Sequence, residues 1–331
     1  MKVTLLVNPY ASTVTPKKQR LVEATLAASH ELSVLCTTCR DHATALAADA
    51  AAGGAEVVVV LGGDGTLNEA ANGLVGTDTA MAPLPGGSTN VFARTIGVPR
   101  KLVKAAAQLD ASLAAGSIRR MPLGVVNGRR FLFHAGLGFD AAVVAQVERR
   151  PALKHKLGQT AFVFATLTTL ARHFDLGRPH FTLHVGPGTG GTGTGGTGTG
   201  GDESTVLGAY SIVMNSNPYT YMGRIPLNLT TDATPGRGLV AITVRNMHLP
   251  AVVGLLTSAI GSGKRLRTNR RVDYRPDLLS FTVTGLEGPF PYQIDGDFLG
   301  LTEQLEFSYE PHALAIVAPP PTPSPPSGGG G

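Results

Sequence analysis

The chain has 331 residues, 43% of them hydrophobic and 15% charged, with a formal net charge of +5. That is enough for a real core and about two domains, and no uninterrupted apolar run approaches the ~20 residues of a membrane helix. Basic residues gather at 149–156 and 264–275. Either run is a solvated face or a contact for anionic headgroups, and the lack of interleaved aromatic residues disfavours nucleic acid as a partner.

In chain order, MKVTLLVNPYAS opens with a short strand. It is too short for a signal peptide and lacks a cleavage site. PKKQRLVEATLAASH has helical spacing, LSVLCT is a second strand, and DHATALAADAAA is a helix ended by Gly53 and Gly54. The only cysteines, Cys36 and Cys39, lack the second pair that a zinc site needs, and they form no disulfide framework. A cytoplasmic location with peripheral membrane contact is therefore expected.

EVVVVLGG reads as a strand covered on both faces. TLNEAANGL reads as a helix with Thr66 as N-cap and Glu69 at capping-box spacing. MAPLPGG and STNVFARTIG add a strand and a short helix, stopped by Gly97 and Pro99. The alternation predicts a doubly wound α/β domain over residues 1–120.

From about residue 118 the rhythm changes to short strands: RFLFHAG, HFTLHV, AYSIVMN, LVAITV, LLSFTVTG and LEFSY. They predict an antiparallel β-sandwich domain over 121–317, interrupted by a helical pattern at 156–174. LEFSYEPHALAIVA reads as two closing strands, and the last strands are candidates to return to the first domain. A Gly-Thr tract at 186–201 reads as a flexible surface loop, and the Pro/Gly tail at 318–331 as disordered.

Ligands of open α/β sheets sit beyond the carboxyl ends of the strands, where Gly62, Gly63 and Gly65 fall. Bare backbone there lets N–H groups approach phosphate oxygens, with Thr66 adding a hydroxyl. Asp64 would repel a bare polyphosphate but suits a Mg²⁺ bridging carboxylate and phosphate. The plainer reading is a tight turn in which Asp64 bonds backbone amides. The turn is neither a Walker A loop nor a dinucleotide fingerprint.

GGDGTLNEAANGL resembles the signature of the diacylglycerol kinase catalytic domain family, which includes diacylglycerol, sphingosine and ceramide kinases. NPYAS (8–12), Thr37 ahead of His42-Ala43, PLPGGSTNVFARTIGVP (83–99), FHAGLGFDAAVV (133–144), NSNPYTYMG (215–223) and YQIDGDFLG (292–300) are similar to further family landmarks. The resemblance implies a nucleotide-binding α/β domain and a β-rich domain with the active site between them. It also implies transfer of the ATP γ-phosphate, with Mg²⁺, to a lipid hydroxyl. Asn8, Pro9, Ser12 and Thr37 would meet the nucleotide, Gly62, Gly63, Asp64, Gly65, Thr66, Leu67 and Asn68 would wrap the phosphates, and Gly87, Ser88 and Asn90 would complete the pocket. Asp295 or Asp297 would be the base, with Asp295 favoured and Asp297 holding metal beside Asp64.

The chain departs from the family at Val91 and Pro122, where relatives carry aspartate, while Ser88 keeps the hydroxyl of the usual threonine. Asp140 is a partial substitute or a helix N-cap. At Gly236-Arg237 bacterial relatives have an acidic pair binding a structural Mg²⁺. A guanidinium cannot ligate a cation, so that metal is expected to be absent and Arg237 to form a salt bridge. His134 and His173 read as core or surface histidines; Tyr219 and Tyr221 line a lipid entrance or merely pack. Diacylglycerol is the default acceptor. A sphingoid base or other lipid alcohol, NAD as in NAD kinase, and a binding protein without catalysis are the alternatives. Oligomeric state is open, a homodimer included.

Overall fold

Four short apolar runs, each followed by a helix able to cover it, start the first sheet. In this computed structural model, residues 1–138, 141, 178–189, 203–245, 264–267, 269 and 272–319 are described. β1 (Lys2–Val7), β2 (Glu31–Cys36), β3 (Val57–Gly62) and β4 (Ala80–Pro85) alternate with α1 (Pro16–Ala27), α2 (His42–Ala52) and α3 (Asp64–Leu74). The strands lie parallel in the order β2-β1-β3-β4. Every residue of β3 and β4 is buried, because helices cover both faces of a parallel sheet. Successive side chains of β3 serve opposite cores: Val58 and Val60 meet Leu67 and Leu74, whereas Val57, Val59 and Leu61 meet Val22 and Leu26.

α4 (Val91–Thr95) and α5 (Leu102–Ala114) precede the antiparallel half. There follow β5 (Ile118–Val126), β6 (Arg129–Phe131), β7 (His134–Gly138), β8 (Phe181–Val185), β9 (Ser204–Gly208), β10 (Tyr210–Met214), β11 (Thr220–Met222), β12 (Ile225–Leu227) and β13 (Leu239–Val244). The described chain ends with α6 (Lys264–Arg267), β14 (Val272–Leu278), β15 (Ser280–Gly285), β16 (Phe290–Ile294), β17 (Asp297–Thr302) and β18 (Gln304–Val317). One antiparallel sheet runs β14-β13-β10-β7-β16-β17, while β15-β8-β9 extend the first sheet beyond β18. Phe181, Val283 and Phe307 from one sheet and Leu137, Val213 and Ile294 from the other fill the core between them. The expected pairing of an α/β domain with an antiparallel β domain is what the molecule has.

β18 corrects the expectation of two closing strands. It is one strand whose register shifts between Glu310 and Leu314, with His312 at φ 54°. A bulge absorbs the bend that a loop was expected to make. Its first half pairs with β15, and its last residues reach β4 and the start of β5. One strand therefore ties the parallel sheet to the antiparallel half and brings β16–β17 to the carboxyl end of β3.

The capping reading is corrected as well. α3 starts at Asp64 with Gly63 as N-cap, so Thr66 lies inside the first turn. Glu69 turns instead to another helix and accepts the Ala43 N–H of α2 at 3.1 Å. Asp41, the N-cap of α2, makes no side-chain cap, so tertiary packing supplies what the local sequence does not. The helical pattern of 156–174, the basic run of 149–156, Asp140, His173, the Gly-Thr tract from 190 and the tail from 320 lie outside the described residues.

Candidate active site

Two glycine loops lie back to back at the end of the parallel sheet. Gly86 N–H donates to Gly62 C=O at 2.9 Å, and Thr13 N–H to Gly86 C=O at 3.0 Å. A Cβ on Gly86 would stand 2.8 Å from the Gly62 nitrogen, and one on Gly87 2.8 Å from the Gly63 Cα. Only glycine permits that approach. Asn8 closes the third side: its side-chain N–H donates to the Thr66 hydroxyl at 2.9 Å, and its carbonyl accepts the Tyr10 N–H at 3.0 Å. No side chain caps α3, so its first-turn amides and positive end face this cradle, the arrangement that receives a phosphate.

Asp64 spends its carboxylate on the second loop. Its two oxygens accept the Val91 and Phe92 N–H groups at 2.9 and 3.1 Å, which caps α4 from outside. The residue keeps part of its surface accessible, yet desolvation pushes its carboxyl up to about 6, against those two amides and with Asp297 adding a repulsive charge. The plain turn reading is the one these two bonds show. Each oxygen retains a lone pair beyond its amide bond.

The acidic hairpin comes from the far end of the chain. Asp295 and Gly296 have φ of 49° and 86° between β16 and β17, the conformation that an Asp-Gly two-residue hairpin turn adopts. Asp295 is 4% exposed and accepts four hydrogen bonds. Leu132, Phe133 and His134 N–H groups donate at 2.7, 2.9 and 3.1 Å, and Asn68 Nδ2 at 2.8 Å. Burial outweighs these donors and lifts its carboxyl to about 7. Asp297, one glycine further on, points the other way. A Cβ on Gly65 would stand 2.6 Å from its Oδ2, so this carboxylate lies directly against the glycine turn. Asp64 and Asp297 are near enough to repel one another, and of the two hairpin aspartates it is Asp297 whose carboxylate lies against Gly65.

Asn68 joins the two halves: besides Asp295 it donates to Arg130 C=O at 2.9 Å, and its Oδ1 accepts from Arg129 at 3.2 Å. Asn72, one turn later, accepts Arg130 N–H at 2.9 Å and donates to its C=O at 3.1 Å. Asn68 was expected to wrap phosphates and instead anchors the hairpin. Leu67, expected beside it, is fully buried in the core. Two asparagines at i and i+4 are poor helix formers on one helix face, and that signal was available in the sequence.

Among the remaining expected residues, Asn90 sits at φ 51° and its side chain clasps Gly87, accepting the N–H at 2.8 Å and donating to the C=O at 2.7 Å. It shapes the second loop rather than facing outward. Pro9, Ser12 and Ser88 are exposed beside the cradle. Thr37 is buried, its N–H on Val7 C=O at 2.9 Å. Three cations at the cleft escaped the sequence reading. Arg40 donates to Phe298 C=O at 3.4 Å, Arg129 pairs with Asp41 at 3.3 Å, and Arg94 lies 3.4 Å over the Tyr221 ring. His134 is a core histidine, as read, but burial drives it neutral, with its pKa down to about 3, and its Nδ1 has no partner among the described residues.

Arg237 forms the expected salt bridge. Its Nε and Nη2 meet the two oxygens of Asp277 at 2.9 and 2.8 Å, and Nη1 meets Asp232 at 3.2 Å. The other Asp232 oxygen accepts from Tyr274 OH at 2.6 Å and Arg267 at 3.3 Å. Every oxygen of both carboxylates is occupied by a protein donor, so this cluster does not fit a divalent cation.

A glycine-lined α/β cradle faced by an acidic hairpin from an antiparallel β domain is a diacylglycerol kinase-like architecture. A solved diacylglycerol kinase from Bacillus anthracis str. Sterne shares the fold, with TM-score 0.66 and 20% identity over 96% of this chain and 97% of that one. Residues 2–126 match the model of the diacylglycerol kinase catalytic domain. "Diacylglycerol kinase" of Bacillus subtilis (strain 168) is 37% identical over 137 residues, 41% of this chain and 44% of that protein. "Probable lipid kinase YegS-like" of Pseudomonas savastanoi pv. phaseolicola is 36% identical over 157 residues, 46% of this chain and 49% of that protein. The matched region thus spans about half the length of these relatives.

Proposed function

We propose that the protein is an ATP- and Mg²⁺-dependent lipid kinase that transfers the γ-phosphate to a lipid hydroxyl, with diacylglycerol as acceptor and phosphatidic acid as product. The observation that carries the reading is the Asp297 carboxylate lying against Gly65 in the uncapped first turn of α3. Phosphoryl transfer asks a protein for alignment and charge neutralisation more than for covalent help. The Gly62–Thr66 backbone, the α3 N-terminus and the second loop around Gly87 receive the phosphates. Asp297 accepts the proton of the attacking hydroxyl. Asp295, favoured for that task from sequence alone, has all its bonding spent on the hairpin's anchorage and acts by holding Asp297 in place. Mg²⁺ bound with ATP supplies charge neutralisation, and the lone pairs that Asp64 keeps, together with Asp297, are the protein groups that would hold it.

The relatives named as diacylglycerol and lipid kinases support this choice of acceptor. The test is transfer of labelled phosphate from ATP to dispersed diacylglycerol, a sphingoid base and NAD, with and without chelator. Label in phosphatidic acid that needs Mg²⁺ is the expected result. Label in NAD alone, or none in any acceptor while ATP still binds, overturns the proposal.

A further inference from the structure

Arg94 is held in the cleft in an unusual way. It lies in the last turn of α4, whose first turn is capped by Asp64, and its own N–H bonds to Asn90 C=O at 3.1 Å, one turn from the second glycine loop. Its guanidinium lies 3.4 Å from the centroid of the Tyr221 ring. Among the described residues this guanidinium makes no hydrogen bond or ion pair with protein. Tyr221 comes from the β11–β12 hairpin, opposite Pro226, and packs against the core that includes Val91 and Phe92. A stacked guanidinium has its faces occupied and its N–H edge free, and that edge is suited to a phosphate.

We propose that Tyr221 is a positioning residue that holds Arg94 flat at the lip of the glycine cradle, so that the arginine's free edge binds the terminal phosphate of ATP. The idea rests on the nucleotide half of the function proposed above and goes beyond it. The β11–β12 hairpin would sense the phosphate through this stack, and loss of the ring would loosen Arg94 without removing its charge.

The test is a double-mutant cycle read in two ways: affinity for a fluorescent ATP analogue, and kcat/KM for ATP with dispersed diacylglycerol. Tyr221→Leu is expected to weaken both by roughly 3- to 30-fold, the range that a cation–π contact is worth. Tyr221→Phe, which keeps the ring, should stay within about twofold of wild type, and KM for the lipid should not move. In an Arg94→Ala background, Tyr221→Leu should add nothing. Tyr221→Met serves if the leucine variant melts early. Equal losses in both backgrounds, an equal loss in Tyr221→Phe, or a change confined to the lipid KM overturns the proposal. A wild type that labels no lipid sinks the kinase reading instead, while the coupling is still measured in nucleotide affinity.

Discussion

Two acidic regions of the molecule neutralise their charges in opposite ways. In the cleft, Asp64 and Asp295 are bonded by backbone amides and one asparagine. In the antiparallel sheet, Asp232 and Asp277 are bonded chiefly by the Arg237 guanidinium. Amides stabilise a carboxylate without filling the space before it, and a neighbouring acid, Asp297, lies against Gly65. A guanidinium brings its own charge and bulk and closes its site. On the function proposed above, the amide-bonded region is the one that serves chemistry and the arginine-bonded region serves cohesion.

The largest effect that would sharpen this contrast is at Asp297. Asp297→Asn should lower kcat by about 10²- to 10⁴-fold, the usual contribution of a general base, with an unchanged denaturation midpoint. A loss of stability with retained turnover would move Asp297 to the cohesive class. Asp295→Asn should act the other way. It leaves backbone N–H groups facing an amide that accepts at only one atom, and should cost about 1–3 kcal/mol in a urea titration.

The same residue carries a pH signature. Its folded pKa stands above the unfolded value, so between about pH 4 and 7 the unfolded chain has released a proton that the folded chain retains. Stability should fall across that window, level off above it, and fall less in Asp295→Asn. A flat profile in wild type would show that the four donors outweigh burial.

Arg237→Ala should give the smallest of these effects. Breaking a buried pair costs several kcal/mol, but Arg237 is 39% exposed, and solvent screening brings the expectation to about 1–2 kcal/mol. Added Mg²⁺ should leave the wild-type midpoint where it is. A Mg²⁺-dependent rise would break the comparison by showing that the guanidinium does not fill the site.

Much of the frame was legible because it is local. Four apolar runs each followed by helical spacing specify parallel strands. The glycines of the two loops were legible as an approach surface, although which glycine met which backbone was not. The Arg237 salt bridge was legible from the family resemblance, which puts an acidic pair at that place, and from the guanidinium, which pairs with carboxylates and cannot ligate a cation. The parts that were missed are long-range. Glu69 caps a neighbouring helix, Arg94 stacks on a ring from another hairpin, and β18 bends through a bulge where a loop was expected.

By itself the sequence determined the α/β alternation, the side-chain-free turn after β3 and the tight acidic hairpin, because steric limits on φ and the period of burial act over a few residues. Only the tertiary structure decided which aspartate is anchored and which is presented. Asp295 finds its donors in Asn68 and in Leu132 to His134, far away in sequence, and the direction of a hairpin carboxylate follows from the strand that docks beside it.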